Sequence, residues 1–481
     1  MNLRVRATKA VYWTATRSAA TLGSRFIVML LAAHLLAPLD IGLYAIANLV
    51  LGFAYILANG GLTQGVISKP DVHPDQLSSL FWFNLLSGAV LTLAVALAAP
   101  LLAEFYGQPR LLDMLLVTAL NLLVAPFGQM SQALLQKHLD FASLARVDIT
   151  VALLSSLCAV GMLYAGAGVY ALIVSQVLGT VLRGIFLRIC CRDLLPIQLR
   201  FRYAEIRSIV HFGIFQTGSA FLNYFSSRID QFLIGTLGGP QALGYYSLAW
   251  NLIIEPVFRV SLVITSVAFP VFAKRQDDIG ALRRGFRVVT KLLATGIAPL
   301  VFGFAAIASN AIPLVLGARW APSIPLVQLL SIVAIVRTIN IPVGSLVLAV
   351  GRADKLFYWT LGYCVLQPPL YAAFLVMGGL IPATLFLCAV NVAAMFLAYG
   401  LLLRPALGPI FADYMGAFLP STVLAASMAI AVQSLSMIET APTSTLLAAQ
   451  VCLGIIIYGG TMMLFRRGDV SQIASLIASR G

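Results

Sequence analysis

The chain has 481 residues, of which 60% are hydrophobic and 10% are charged, and its mean hydropathy is +0.95. A soluble protein of this length carries about twice that charged fraction, so the composition excludes a soluble globular protein and predicts that lipid is the solvent. The net charge of +14 could indicate nucleic-acid binding. The basic residues lie between apolar segments, however, which is typical of cytoplasmic loops in membrane proteins.

Fourteen apolar segments are long enough to cross a bilayer as helices, so the predicted fold is an all-α integral membrane protein with 14 transmembrane helices. The first segment has a basic start, but Arg17 and Arg25 interrupt it and no A-x-A cleavage site follows, which predicts a membrane helix instead of a cleaved signal. The segments are 11–37, 40–67, 78–105, 110–136, 141–164, 168–190, 204–237, 241–272, 282–309, 321–350, 355–378, 380–403, 410–434 and 444–466.

The distribution of lysine and arginine predicts the orientation. With the N-terminus inside, 22 basic residues fall on the inner side and only Arg110 and Arg319 on the outer side. This is a strong positive-inside bias, and it predicts that both termini are cytoplasmic.

The second half of the chain repeats the first, which is a common signature of transporters. The segment "SRFIVMLLAAHLLAPLDIGLYAIA" (24–47) compares with "SRIDQFLIGTLGGPQALGYYSLA" (227–249). Six helices per repeat predict two lobes related by a pseudo-two-fold axis along the membrane normal. The predicted lobes are 1–195 and 196–404, followed by helices 13 and 14 and a cytoplasmic tail in 405–481. The matched residues are Ser24, Arg25, Pro38, Gly42, Tyr44 and Ala47 with Ser227, Arg228, Pro240, Gly244, Tyr246 and Ala249.

Several arginines lie within the predicted spans. Arg25 and Arg228 lie 13 and 12 residues before the proline that ends their hydrophobic run, or roughly 18–20 Å, which is near the middle of the bilayer. Arg337 is central in the tenth span, and Arg17 is intermediate. A charge at that depth is costly if it faces lipid. These four residues therefore predict a cationic cavity for an anionic substrate, with buried ion pairs as the alternative.

The acidic residues of the spans suggest ion pairs or coupling sites. Arg228 and Asp230 are two residues apart and point about 200° apart on a helix, so each needs another partner. Glu255 and Arg259 have the i,i+4 spacing and the order that favour an ion pair. Asp230, Glu255 and Arg259 are therefore candidates for ion pairing or for coupling.

The second span carries a polar stripe. Tyr44, Asn48, Tyr55 and Asn59 fall within about 60° of one another on a helical projection. They predict either a cavity face that binds sugars or waters, or polar contacts between helices.

The sequence contains no motif for catalysis or for a bound cofactor. It has no phosphate-binding Walker loop, no HExxH and no GxSxG, and its six cysteines lack C-x-x-C spacing. We therefore expect no catalytic residues, no metal and no cofactor. A transporter could instead draw on a proton or sodium gradient or on the membrane potential.

The segment "RIDQFLIGTLGGPQALGYYSLAWNLIIEP", followed by "VAFPVFAKRQDD", closely resembles the Wzx-type polysaccharide flippases of the multidrug/oligosaccharidyl-lipid/polysaccharide superfamily. The resemblance covers most of the chain. It implies two lobes around a central cavity, alternating access, and a bacterial inner-membrane location. The implied substrate is an undecaprenyl-diphosphate-linked oligosaccharide that moves from the cytoplasmic to the periplasmic leaflet for exopolysaccharide, capsule or O-antigen synthesis. A polysaccharide polymerase and export machinery are the implied partners of a monomer.

Two rival functions remain open at this stage. A multidrug or cation antiporter of the same superfamily would need a buried acid in the first lobe, for which Asp148 is the candidate. A glycan polymerase would be an enzyme acting on a lipid-linked sugar, but the short outer loops argue against it.

Overall fold

A computed structural model describes residues 3–59, 61–69, 73–192, 201–437 and 443–465, and every regular element in these ranges is helical. The α-helices are α1 (Leu3–Leu35), α2 (Pro38–Asn59), α3 (Leu62–Ser68), α4 (Pro74–Phe105), α5 (Arg110–Val124), α6 (Pro126–Lys137), α7 (Phe141–Tyr164), α8 (Tyr170–Cys190), α9 (Tyr203–Leu233), α10 (Gly239–Ala273), α11 (Ile279–Leu316), α12 (Ile324–Ala349), α13 (Ala353–Gly378), α14 (Leu380–Ala398), α15 (Arg404–Leu407), α16 (Phe411–Ser434) and α17 (Ser444–Phe465).

Within the described ranges, eleven helical segments are long and apolar enough to cross a membrane, or twelve if the bent pair α5–α6 counts as one span. The protein is therefore a multi-pass membrane protein. The segments predicted at 204–237 and 241–272 are present as α9 and α10 but are not among these spans. Charged residues such as Arg228 and Asp230 reduce the apolar character of α9. The exact count of fourteen stays a prediction.

The outer surface of α4 shows why the fold needs lipid. Leu93, Leu97, Leu101 and Phe105 are spaced four residues apart and are 60–69% exposed. That spacing forms one apolar stripe on a helix. An exposed stripe of this kind would be unfavourable in water and suits a hydrocarbon environment.

Two predicted spans are broken by local backbone chemistry. In the fourth, α5 ends at Val124 and α6 begins at Pro126 with a bend of 43°, because proline lacks a donor and suits the first position of a helix. In the second, α3 begins after Gly61, which has a φ of 61°, a left-handed conformation that glycine adopts readily.

The chain forms two compact units, Met1–Gly244 and Tyr245–Gly481. In the first unit, the start of α9 packs into the core that α3, α4 and α6 form. Ile206 and Ile209 of α9 belong to the same hydrophobic cluster as Leu80 and Phe81 of α4. The helix that follows the long loop therefore belongs with the preceding helices. The lobe boundary near residue 195 rests on the sequence repeat and stays a prediction.

The second unit has a hydrophobic core to which α11, α12, α14 and α16 contribute. Phe286, Ile339, Leu403 and Tyr414 are each at most 1% exposed there. Helix α12, which carries Arg337, therefore packs into this core.

Candidate functional site

Arg25 is exposed on α1 in the first unit. Its charge acts on the hydroxyl of Tyr44 on α2. Helix α1 packs along α7, and Arg25 lies on a face of α1 that its neighbours leave exposed. The structure therefore places the Arg25 guanidinium where it is accessible instead of in the core.

Arg228 is half-buried on α9 in the same unit. Its Nη1 donates to Oε1 of Gln231 at 3.2 Å, and its charge acts on Tyr224 one turn earlier. Asp230 is 2% exposed, and its Oδ1 accepts from the backbone N–H of Gln231 at 2.9 Å. Gln231 therefore contacts both charged residues, a role that the sequence did not suggest.

A five-residue π-helix, Ile234–Gly238, follows α9 directly. Single turns of π-helix are rare and occur often at functional sites. This π-helix separates the charged end of α9, which carries Arg228, from the beginning of α10, which carries Pro240.

Arg337 lies on α12 in the second unit. Its Nε donates to Oδ1 of Asn391 on α14 at 3.4 Å, and its guanidinium carbon lies 5.2 Å from the ring centroid of Trp250. Asn391 also donates to the hydroxyl of Tyr363 at 3.5 Å. An arginine held over an indole and bonded to an amide is oriented as well as charged.

Arg17 is bonded to a carboxylate, in contrast to the cavity role that its position suggested. Its Nε lies 2.6 Å from Oδ2 of Asp148 on α7, and Nε of Arg183 on α8 lies 2.7 Å from Oδ1 of the same carboxylate. Asp148 is 7% exposed. Arg17, Asp148 and Arg183 therefore form a triad that joins α1, α7 and α8.

The polar stripe of the second span is partly used within the protein. The Tyr44 hydroxyl donates to Oε1 of Gln176 on α8 at 3.4 Å, and Gln176 Nε2 donates to Oδ1 of Asn48 at 3.2 Å. Tyr55 is 36% exposed, and the side chain of Asn59 lies outside the described residues. Tyr44 and Asn48 therefore both make polar contacts with α8, and a role of the stripe in a cavity stays a prediction.

Three further polar residues extend the hydrogen-bond network around Gln176, and the sequence did not single them out. Thr180 donates to Oδ1 of Asn121 at 2.6 Å, and Asn121 donates to the carbonyl of Thr118 at 2.9 Å. Gln176 and Thr180 are i and i+4 on α8, so a helical projection of that span could have revealed the shared face.

Glu255 and Arg259 form the ion pair that their spacing predicted. Arg259 Nη2 lies 2.7 Å from Oε1 of Glu255, and the side chains are 36% and 27% exposed respectively. Pairing on a single helix gives each charge a local partner.

Residues matched in the repeat meet at a reciprocal contact within the first unit. A Cβ added at Gly42 would overlap the carbonyl oxygen of Pro240, and one added at Gly244 would overlap that of Pro38. Only glycine permits backbones to approach so closely. The two segments that share the proline–glycine spacing, Pro38–Gly42 and Pro240–Gly244, therefore contact each other through their backbones.

The described residues contain no group of three or more His, Cys, Asp or Glu side chains that could hold a metal ion.

Comparison with known proteins identifies relatives along most of the chain. Residues 31–325 match the family described as "Polysaccharide biosynthesis protein". The chain is 34% identical to the teichuronic acid biosynthesis protein TuaB of Bacillus subtilis (strain 168) over 314 residues, 65% of either protein, so the match spans just under two thirds of TuaB. It is 27% identical to the lipopolysaccharide biosynthesis protein WzxC of Escherichia coli (strain K12) over 86% of this chain and 84% of WzxC.

A solved structure shares the fold. The inward closed conformation of the lipid II flippase MurJ superposes with a TM-score of 0.70 at 14% sequence identity, and the match covers 94% of this chain and 99% of MurJ.

Proposed function

The chain belongs to the polysaccharide biosynthesis protein family, and from that premise we propose that it is a lipid-linked oligosaccharide flippase. It moves undecaprenyl-diphosphate-linked repeat units from the cytoplasmic to the periplasmic leaflet, for synthesis of an exopolysaccharide, a capsule or an O-antigen. The names of WzxC and TuaB as lipopolysaccharide and teichuronic acid biosynthesis proteins and the MurJ-like fold support this assignment.

The observation that carries the proposal is the set of guanidinium groups inside apolar helices. Arg25 is exposed on α1, Arg228 is half-buried on α9 and Arg337 is held over Trp250. Guanidinium groups bind phosphates through paired donors, and cationic groups in apolar helices mark substrate pathways. We propose that Arg25, Arg228 and Arg337 bind the diphosphate. Arg17 is not included, because its guanidinium is bonded to Asp148.

The proposed transport cycle is alternating access of two six-helix lobes in a fourteen-helix protein. The reciprocal contact of Gly42 with Pro240 and of Gly244 with Pro38 supports a two-fold relation between the repeats, since a two-fold axis makes contacts of this kind. The excess of basic residues on one side of the predicted spans supports cytoplasmic termini and an inner-membrane location.

We propose that transport needs no bound cofactor and no catalytic residue, and that an ion gradient or the membrane potential supplies the energy. Asp230 is the foremost coupling candidate because it is an almost fully buried carboxylate in a predicted span. Glu255 and Arg259 are weaker candidates because they already neutralise each other. We expect a monomer that acts beside a polysaccharide polymerase and export machinery.

The geometry of Asp148 argues against the antiporter alternative. A cation exchanger needs carboxylate oxygens that can bind the ion, whereas both oxygens of Asp148 lie within 2.7 Å of a guanidinium nitrogen. A glycan polymerase has no specific observation in its favour.

The decisive experiment measures glycan export in a strain that lacks this gene. Single variants Arg25→Ala, Arg228→Ala and Arg337→Ala should each reduce export at normal protein level. Arg110→Ala is the matched control, because this arginine is 73% exposed and lies at the beginning of α5, outside the bilayer centre. Full export from all three variants would show that these residues do not bind substrate. Restored export of an unrelated cationic drug, without glycan export, would favour the antiporter.

A further inference from the structure

The Arg17–Asp148–Arg183 triad joins three helices of the first unit through a single carboxylate. We propose that Asp148 is a positioning residue for substrate binding, an inference that rests on the proposed function. It holds α1 against α7 and α8 through Arg17, and in this way it sets where Arg25 presents its charge to the substrate diphosphate.

Helix α1 packs along α7, and most of its residues from Tyr12 to Leu35 are half-buried or exposed and few are fully buried. A specific polar contact therefore adds to this packing by fixing the rotation and the axial position of α1. The hydroxyls of Thr21 and Ser24 donate to the carbonyls of Arg17 and Thr21 on the same helix, so these bonds do not attach α1 to its neighbours. The Arg17–Asp148 contact at 2.6 Å does.

Arg183 explains how the carboxylate keeps its orientation. It approaches from α8 and donates through Nε to Oδ1 of Asp148 at 2.7 Å, while Arg17 approaches Oδ2. The hydrogen bond from Arg183 to Oδ1 is charge-assisted, and the Arg17 guanidinium forms an ion pair at Oδ2. The Asp148 side chain is 7% exposed, so water competes weakly for these contacts. The carboxylate therefore has a cationic neighbour at each oxygen, one from α8 and one from α1.

The sequence positions place Asp148 and Arg183 at a similar distance from one end of each helix. Asp148 is seven residues after Phe141 at the beginning of α7, and Arg183 is seven residues before Cys190 at the end of α8. Each lies about 10 Å from its helix end at 1.5 Å per residue. The antiparallel helices therefore bring the two side chains together within the membrane, where an ion pair is screened least.

Arg25 is connected to this anchor by a continuous helix. It lies eight residues after Arg17 on α1, which corresponds to about 12 Å along the axis and about 80° around it. Rotation or tilt of α1 moves both arginines together, because the helix has no break between them. Loss of the anchor would therefore misplace Arg25 without changing its chemistry.

A double-mutant cycle tests this inference on the full-length protein. Purified protein in detergent is titrated with undecaprenyl diphosphate, and glycan export is measured in the deletion strain. The variants are Asp148→Asn, Arg25→Lys and their combination, with Asp413→Asn as the control because its ion pair with Arg287 is 59% and 57% exposed. Asp148→Asn should weaken binding about tenfold, which is comparable to losing one charge-assisted bond. The control should bind as the unaltered protein does.

If Asp148 acts through Arg25, the combined variant should be little worse than Arg25→Lys alone, because coupled residues are not additive. Additive losses, or normal binding by Asp148→Asn at normal protein level, would overturn the inference. If Asp148→Asn does not accumulate, Arg17→Lys and its combination with Arg25→Lys replace it. Arg17→Lys keeps the charge but not the guanidinium geometry, and an unchanged affinity in that variant would overturn the inference equally.

The same measurements separate this inference from the proposed function. If Arg25→Ala exports and binds normally, the proposed role of Arg25 fails and the positioning role of Asp148 fails with it. If Arg25→Ala loses binding while Asp148→Asn keeps it, only the positioning role is rejected.

Discussion

Gly42 and Gly244 face each other, and each is seated against the proline that precedes the other. A Cβ at Gly42 would lie 3.1 Å from the backbone nitrogen of Gly244, and one at Gly244 would lie 3.2 Å from that of Gly42. The two copies of the repeated motif therefore meet at main-chain contact distance. Such close approach is how helices associate in a membrane, where the hydrophobic effect contributes little.

An alanine at Gly42 should separate these backbones. The added methyl meets a carbonyl, which cannot rotate away as a side chain can. We expect a loss of about 1–3 kcal/mol in the free energy of unfolding, typical of overpacking, and reduced export. Thermal unfolding of the purified protein measures the effect. Gly161→Ala on α7 is the control, since no atom lies within 4 Å of its added Cβ, and equal behaviour of the two variants would contradict the prediction.

Lysine at position 337 should not support the glycan export that Arg337 supports. It keeps the charge but loses the planar contact with Trp250 and the Nε bond to Asn391. A cation–π contact contributes about 0.5–2 kcal/mol, so we expect a several-fold reduction of glycan export at normal protein level. Arg319→Lys, in the short 3₁₀-helix Ala318–Ser323 between α11 and α12, is the control. Export by Arg337→Lys that equals this control would mean that charge alone suffices.

The Glu255–Arg259 pair should be replaceable. An i,i+4 pair on a partly exposed helix contributes about 0.3–0.5 kcal/mol, so Glu255→Gln should keep export within about twofold. The reversed pair Glu255→Arg with Arg259→Glu should restore full export. Loss of export in Glu255→Gln that the reversed pair does not restore would instead assign Glu255 to ion coupling.

The two neighbouring cysteines at the end of α8 should differ in reactivity. Cys190 is exposed, whereas Cys191 is buried, and its thiol donates to the carbonyl of Ser131 at 3.5 Å. Burial raises the pKa of the Cys191 thiol. Because the thiolate is the nucleophile, less of it is present at any pH below that pKa, and labelling should require higher pH.

Maleimide labelling of variants that retain one of these two cysteines checks the prediction. The variant that retains Cys190 should react readily at neutral pH, and the variant that retains Cys191 should react slowly and faster as the pH rises. A membrane-impermeant reagent should label Cys190 in inside-out vesicles and not in right-side-out vesicles. The opposite sidedness would contradict cytoplasmic termini.

The sequence by itself determined the class of the protein and the location of its unusual residues. Long apolar segments indicate a membrane protein. In lipid each such segment forms a helix without help from neighbouring segments, because all its backbone hydrogen bonds lie within the segment. Counting along the chain was therefore sufficient to place Arg25 and Arg337 on helices that are apolar enough to span and to predict the Glu255–Arg259 pair. It also matched Pro38 and Gly42 with Pro240 and Gly244. The placement of Arg228 within a span stays a prediction.

Only the tertiary structure decided which side chains meet across helices. Arg17 and Asp148 are 131 positions apart, and no periodicity in either helix specifies that they are partners. The same holds for Gln176 with Tyr44 and for the contact of Gly42 with Pro240. Hydropathy depends on a residue and its near neighbours in sequence, whereas an ion pair inside a membrane depends on helix order, depth and rotation, which packing alone establishes.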